Sequence, residues 1–534
     1  MSHAFQSTYI PYSATGKFSK IVLDYVNGSE DLKDFYEHAV NIEGIKAAIN
    51  QRKKFNTDRK LLAAQLQKQY ENIQDSGFVK NNIKALLEEN TFTVCTAHQP
   101  NIFTGHLYFI YKILHTIKLA DDLKVQLPEY NFVPVFFMGS EDADLEELNH
   151  VVVDGEKYVW NTNQKGAVGR MKVDNGLLQM IGEIAGRIHV EKYGSAIIDV
   201  LKNCFQKNAS IEHSTFLLVH ELFKNYGLIV FLPDNAALKN AMISVFEEDI
   251  FTNTSSKIVR QTSDRLSAKY KVQAHPREIN LFYLKDDIRN RIVEQNDKFA
   301  VHDTAIVFTK AELQNELRDH PERFSPNVIL RGLYQEMILP NLAFIGGGGE
   351  LAYWLELKDL FVHYKTPFPV LIIRNSFLII EQKYQRLLSK LDILPTDVFK
   401  GKFIVMNEIV ARQSDLRLTL DDEKIQMQKV YALIQNIVKE IDVTLGQHAE
   451  ALETISMKKL SALEKKMLRA EKRKFGDIKN QLSKIYASLF PIDGLQERTE
   501  NFMMLYSKWG NDFFKILYDH SLTLEQEFCV IEEK

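Results

Sequence analysis

From about residue 91 the chain alternates short apolar runs with amphipathic stretches, and this alternation limits the fold more than any other feature. TFTVCTA (91–97) has the length of a buried strand. LYFIYKILHTIKLADDL (107–123) repeats its apolar residues at helical spacing, and NFVPVFFMG (131–139) reads as a second strand. Strands separated by helices imply crossover connections, so the pattern predicts a parallel sheet of the doubly wound α/β kind. GLIVFLPDN (227–235) and FPVLIIRNS (368–376) supply two further strands. Ligands of such sheets bind beyond the carboxyl ends of the strands. HQPNIFTGHLYF (98–109), EDAD (141–144) and RNS (374–376) all fall at that edge.

The flanking segments read as helices. Within residues 43–90, Ile45, Ile49, Leu61, Leu62, Leu66 and Tyr70 recur at roughly helical steps, with Asn56 and Thr57 placed to cap a second helix. From Asp421 to Leu489 the chain has no proline. Met427, Val430, Ile434, Ile437 and Ile441 step by three and four there, as do Leu460, Leu463 and Met467, which is coiled-coil spacing. Thr419 and Asp422 have the spacing of a capping box, and Gly446 suits the tip of an antiparallel hairpin. Charged runs such as EKKMLRAEKRK fit a solvated helix surface.

At 534 residues the chain exceeds what one core usually serves. The expected division is an N-terminal segment with helices at 1–90, an α/β core with inserts at 91–376, a helical coiled-coil domain at 377–490, and a C-terminal segment at 491–534 that returns to the core. The 66 basic and 70 acidic residues leave a net charge of −4, which gives no drive toward nucleic acid or anionic membrane. Cys95, Cys204 and Cys529 are far apart and form no disulfide framework. The start, MSHAFQSTYIPYS, lacks the pattern of a signal peptide, and no apolar run reaches the length of a membrane span. A cytoplasmic protein is expected.

The motifs at the strand ends carry the chemistry. A strand-to-helix turn presents backbone N–H groups and a helix dipole that favour anions. In HQPNIFTGHLYF, Gly105 permits close approach, Gln99 and Thr104 offer polar groups, and His98 and His106 can contact phosphate. Phe103-Thr104-Gly105-His106 resembles the HxGH turn of class I nucleotidyltransferases and aminoacyl-tRNA synthetases, with Phe103 in place of the first His. Glu141, Asp142 and Asp144 crowd negative charge that suits a hard cation, a substrate amine or a helix start. Gly346 to Gly349 form a loop able to wrap a ligand with bare backbone, followed by Glu350, Tyr353 and Trp354. The loop lacks the lysine of a P-loop. HPREINLFYLKDDIRNRI (275–292) offers Arg289 and Arg291, of which Arg291 enters the candidate set. Arg331, Arg374 and Ser376 complete it.

Six strings taken in order resemble one family. YIPYSATGKFSKIVLDYVNG, HQPNIFTGHLYFIYK, FFMGSEDADLEELNH, SPNVILRGLYQEMILPNLAFIGGGGELAYW, FPVLIIRNS and LFPIDGLQER are similar to the bacillithiol-biosynthesis cysteine-adding enzymes, described as cysteine ligases. The resemblance runs from near the N-terminus to about residue 500. His106 and Gly348 stand where the family often has proline, and Ala97 where it often has glycine.

The resemblance implies a Rossmann-like doubly wound core with connecting inserts, a long α-helical coiled coil and a homodimer. It also implies an ATP or ADP site, with Mg as a companion ion. The implied reaction joins L-cysteine to glucosaminyl-malate as an amide. ATP would activate the cysteine carboxyl as an adenylate or a phosphate. Backbone N–H groups at Gly105 and His106 would steady phosphate, Asp142 or Asp144 would hold an ammonium group or accept its proton, and Arg291, Arg331 or Arg374 would grip malate. Two other readings stand beside it: a nucleotidyltransferase-like enzyme acting on another small substrate, and a coiled-coil scaffold without catalysis.

Overall fold

The computed structural model describes residues 4–414 and 416–534. The chain forms two compact units. The larger comprises Ser7–Leu378 and Gly494–Ile531, and the smaller comprises Ile379–Asp493 with short pieces from both ends of the chain.

The larger unit is built on five parallel strands: β1 (Thr91–His98), β2 (Asn131–Met138), β3 (Ile229–Phe231), β4 (Asn341–Gly346) and β5 (Val370–Ile373). Their spatial order is β5-β4-β1-β2-β3. The chain winds outward from β1 to β3 on one side, then crosses to β4 and β5 on the other, which is the Rossmann arrangement with a switch point between β1 and β4. The strands are buried on both faces, as parallel strands covered by helices must be. Phe92 and Val94 of β1, Leu342 and Ile345 of β4, and Val370 and Ile372 of β5 form one core with Leu119 and Leu123 of the helix α1 (Tyr108–Gln126). Ile45 and Ile49 add the N-terminal helix Ile42–Arg52 to that core.

The four strands expected from the sequence are present, but β4 is an addition. It is the strand that completes the switch point, and it occupies the segment read only as the approach to a glycine loop. A five-stranded antiparallel sheet running from Leu281 to Pro326 was also not anticipated. It leads through Asn327, whose side chain accepts from the Ile329 amide at 2.8 Å, into α2 (Val328–Ile338). Asp58, not Asn56 or Thr57, caps the helix Arg59–Gln69 by accepting from the Leu61 amide at 2.9 Å.

In the larger unit, the glycines at the end of β4 lead into α3 (Gly348–Leu355). Within the smaller unit, two long helices lie antiparallel: α4 (Asp421–Ile441) and α5 (Val443–Lys472). Lys424 pairs with Glu464, Tyr431 bonds Ser456 at 2.7 Å, and Gln435 donates to Glu453 at 2.9 Å, so partners run in opposite directions along the hairpin. The tip is Asp442, in extended conformation, which caps α5 by accepting from the Thr444 amide at 2.8 Å. Gly446 is not the tip. It lies inside α5, where a Cβ would come within 2.7 Å of the Lys439 side chain, so glycine serves the close approach of the two helices. Nor does Thr419 cap α4, whose N-cap position is Leu420 with no side-chain capping bond. All three cysteines are buried and free. Among the described residues no helix is long and apolar enough to cross a membrane.

Candidate active site at the switch point of the sheet

The residue after each of four strands faces one cavity: Gln99 after β1, Gly139 after β2, Gly347 after β4 and Arg374 after β5. The strand registers bring these ends level, with His98 beside Met138, Thr96 beside Ile345, and Gly346 beside Ile373. The cavity encloses about 790 Å³, enough for a substrate of several functional groups.

The four glycines close β4 and begin α3. None of Gly346 to Gly349 has the positive φ of a left-handed turn, so they act through lack of bulk. Gly347 is the N-cap; its amide donates to Glu350 Oε2 at 2.8 Å. The amides that begin α3 have no intrahelical acceptors, and the wall they form, Gly347 to Glu350, lines the cavity. Beneath them Lys112 of α1, 2% exposed, bonds Glu350 Oε2 at 2.5 Å and the Ala97 carbonyl at 2.7 Å. One buried cation thus ties together the end of β1, helix α1 and the start of α3.

Opposite lies the acidic loop. Asp142 Oδ1 accepts from the Ala143 amide at 2.8 Å, while Oδ2 faces Gln99 at 3.4 Å and Arg331 at 3.6 Å. Burial pushes the Asp142 carboxyl up, but Arg331, Arg289, the Asp144 amide and Gln99 outweigh it and hold the group below the ordinary Asp range. Glu147 also lines the cavity. Burial, then Asp144 and Asp142, push its carboxyl up, the opposite direction. Glu141 points elsewhere: it pairs with the buried Lys239 and does not line the cavity. Asp144 caps the short helix Leu145–Leu148, which is the helix-start role that was open for it.

The stretch HQPNIFTGHLYF brings its two histidines to the cavity but not its Thr-Gly step. His98 stands edge-on to Tyr108 and Phe109, and burial with nearby Lys112 holds its imidazole well below the ordinary value. His106 Nδ1 bonds the Thr499 carbonyl at 2.9 Å, and burial holds this ring down as well. Phe103 is a core residue packed on Phe205 at 4.9 Å, so the position of the missing first His is structural. Thr104 is fully buried off the cavity. Gly105, at φ 64°, is required because a Cβ there would meet Asn101 at 2.9 Å. Its amide donates to Ile102, so one of the two amides expected to hold an anion is engaged within the turn, and beyond them the Leu107 amide donates to Glu500.

The arginines divide by pairing. Arg374 donates to both carboxylate oxygens of buried Glu497, at 3.0 and 2.7 Å, and to Ser376 Oγ at 3.0 Å. It braces the cavity wall, and Ser376 belongs to that brace and not to the lining. Arg291 does not line the cavity, whereas Arg289, two residues earlier on the same strand, does. Arg331, Arg498 and Tyr353 line it too.

A family model described as the N-terminal Rossmann-like domain of Bacillithiol biosynthesis BshC matches residues 5–375, and its C-terminal coiled-coil counterpart matches 377–533. The chain belongs to the BshC family. It is 38% identical to a Flavobacterium johnsoniae protein named "Putative cysteine ligase BshC", across 98% of this chain and 99% of that one. A Flavobacterium psychrophilum protein of the same name is 36% identical over 98% and 99%. A solved structure described as a "putative arginyl t-RNA synthetase" from Campylobacter jejuni aligns over 80% of this chain at 8% identity and a TM-score of 0.25, too low to inform the fold. In this BshC-family chain the signature strings converge on one place. SPNVILRG supplies Arg331, LQER supplies Glu497 and Arg498, and GGGGE supplies the start of α3. Lys112, Glu147 and Arg498 were not singled out in the sequence, because nothing in their local spacing distinguishes them from ordinary helix-surface charges.

Proposed function

We propose that this chain is a cysteine ligase of bacillithiol biosynthesis, joining L-cysteine to glucosaminyl-malate by an amide bond. The observation that carries this reading is near-complete alignment with relatives bearing the cysteine-ligase name, on a chain whose strand ends enclose a polar cavity. Amide formation needs an activated carboxyl, a neutral amine and a group to take the amine's proton. ATP would supply a phosphoryl or adenylyl group that turns one carboxyl oxygen into a leaving group. The residues present suit such phosphates: the amides at the start of α3 and the Arg498 guanidinium face the cavity. Among the described residues no group of three His, Cys, Asp or Glu side chains is placed to hold a metal, so magnesium would arrive on the phosphates and not in a site of the chain's own.

The chain's own groups divide the remaining work. Asp142, held ionised by the arginines, suits an ammonium group better than a proton in flight. Glu147, with its raised carboxyl, is the better base. As the amine nitrogen bonds the carboxyl carbon, the carbon–oxygen bond to the phosphate group breaks and Glu147 takes the proton. His98 stays neutral at pH 7 and orients by hydrogen bonding. We also propose that the protein is a homodimer through the α4–α5 hairpin, supported by the apolar face that hairpin exposes. Isotope exchange between pyrophosphate and ATP tests the activation step. Cysteine-dependent exchange supports an adenylate; exchange that responds instead to another acid supports a different nucleotidyltransferase.

A further inference from the structure

From the end of the helix Thr254–Ser267 to the strand Leu281–Lys285 the chain has neither helix nor strand, so its backbone groups need partners elsewhere. Two buried carboxylates supply them. Glu356, directly after α3, accepts from the Gln273 amide at 2.7 Å and the Ala274 amide at 2.9 Å on Oε1, while Ser263 Oγ donates to Oε2 at 2.5 Å. Asp249 accepts from the Asn280 amide at 2.6 Å and from the Asn280 side chain at 3.0 Å. The segment is a strap pinned at both ends, with His275, Arg277 and Glu278 exposed between the pins. Glu356 is fully buried and has no ion pair among the described residues. Burying a carboxylate on neutral donors alone is costly, and what this one holds is the part of the strap that reaches the cavity, at Gln273. The other side-chain amides of the cavity are engaged by the protein: Gln99 donates to Asp142 at 3.4 Å, and Asn327 donates to Asn280 at 3.0 Å and caps α2. The Gln273 side chain has no such partner among the described residues.

We propose that Glu356 is a positioning residue, pinning the strap so that Gln273 meets the sugar hydroxyls of the acceptor. A neutral amide that both donates and accepts matches a hydroxyl, which does the same, better than a carboxylate or a phosphate, which only accept. The identity of the acceptor rests on the ligase reading above; the anchor itself rests on the hydrogen bonds of Glu356.

The test compares full-length protein with Glu356→Ala, Gln273→Ala and the double variant, in turnover and in calorimetric binding of glucosaminyl-malate. Each single variant should raise KM and Kd for glucosaminyl-malate by roughly 3–10-fold, the effect of one hydrogen bond, with KM for ATP and L-cysteine at the parental level. The double variant should be no worse than Glu356→Ala alone, since both changes remove the same contact. Glu356→Gln keeps an acceptor for the two amides and a donor for Ser263 Oγ, so it should restore near-parental KM, and it guards against a misfolded Ala variant. The Ala274 amide should exchange its hydrogen faster in Glu356→Ala but not in Gln273→Ala. Losses that multiply in the double variant, a parental KM in either single variant, equal rises in all three KM values, or a Glu356→Gln variant as impaired as Glu356→Ala would overturn the proposal, as would glucosaminyl-malate that does not bind the wild type. Binding that follows this cycle without any ligation would uphold the anchor while removing the ligase reading.

Discussion

Asp142, on the loop after β2, and Glu147, in the short helix that follows it, face one cavity, yet their surroundings drive their carboxyls in opposite directions. Arginines hold the first low, while burial and acidic neighbours raise the second. If Glu147 accepts the amine proton, kcat rises with pH as Glu147 ionises, through a midpoint above the ordinary Glu value. Glu147→Gln should lower kcat by roughly 10²–10⁴-fold and abolish that acid limb. A variant with the parental pH profile would assign the proton elsewhere. A second carboxyl, Glu212, is pushed up to about 7 by burial first, then by Asp234 and Glu141, with Arg170 opposing. Its native form therefore keeps a proton that the unfolded chain releases from about 4.5 upward. The unfolded state binds fewer protons in that window, so stability falls as pH rises from 4.5 to 7. Glu212→Gln should be more stable than the parent by about 1–3 kcal/mol at about pH 8, with the gap closing near pH 4, as read by urea denaturation.

At the scale of elements, the start of α3 depends on a partner in α1. Lys112→Met leaves Glu350 without its cation, although Glu350 keeps 22% exposure and some solvation. The expected loss is about 1–3 kcal/mol, and the Lys112→Met/Glu350→Gln pair should cost less than the sum of its single variants in a double-mutant cycle. Additive losses would show that the two groups do not act together. This pairing also shows what was legible in the sequence. Period and run length revealed β1, β2, β3, β5 and α1, because strands buried on both faces are continuously apolar. They hid β4, since NLAFIG merges with its glycines and no turn residue marks where the strand stops. Arg289 and Arg291 share a strand face, so only the placement of the insert separates the one that reaches the cavity from the one that does not. Thr104 and Gly105 had the composition of a ligand turn, but the Phe103 and Gly105 carbonyls accept from Asn501, far off in the chain, and the Thr104 and Gly105 amides donate within the turn itself. Long-range partners of that kind leave no local spacing to read.

At the scale of the whole molecule, the hairpin leaves Leu433, Ile437, Ile441 and Val443 66%, 60%, 75% and 77% exposed. A contiguous apolar face of this kind is rarely left to solvent. Sedimentation should give twice the chain mass, and Leu433→Glu with Ile437→Glu should give the monomer with the Rossmann-like unit still folded; a wild-type monomer at micromolar concentration would contradict the dimer. The central claim is chemical, and one measurement tests it most directly. Purified protein is incubated with L-cysteine, glucosaminyl-malate and ATP, and the products are read by mass spectrometry. The account predicts cysteine-dependent formation of bacillithiol that stops when ATP is withheld. Formation that ignores ATP would remove the activation step and leave the ligase standing. No amide product under any of these conditions, from protein that remains folded, would contradict the account.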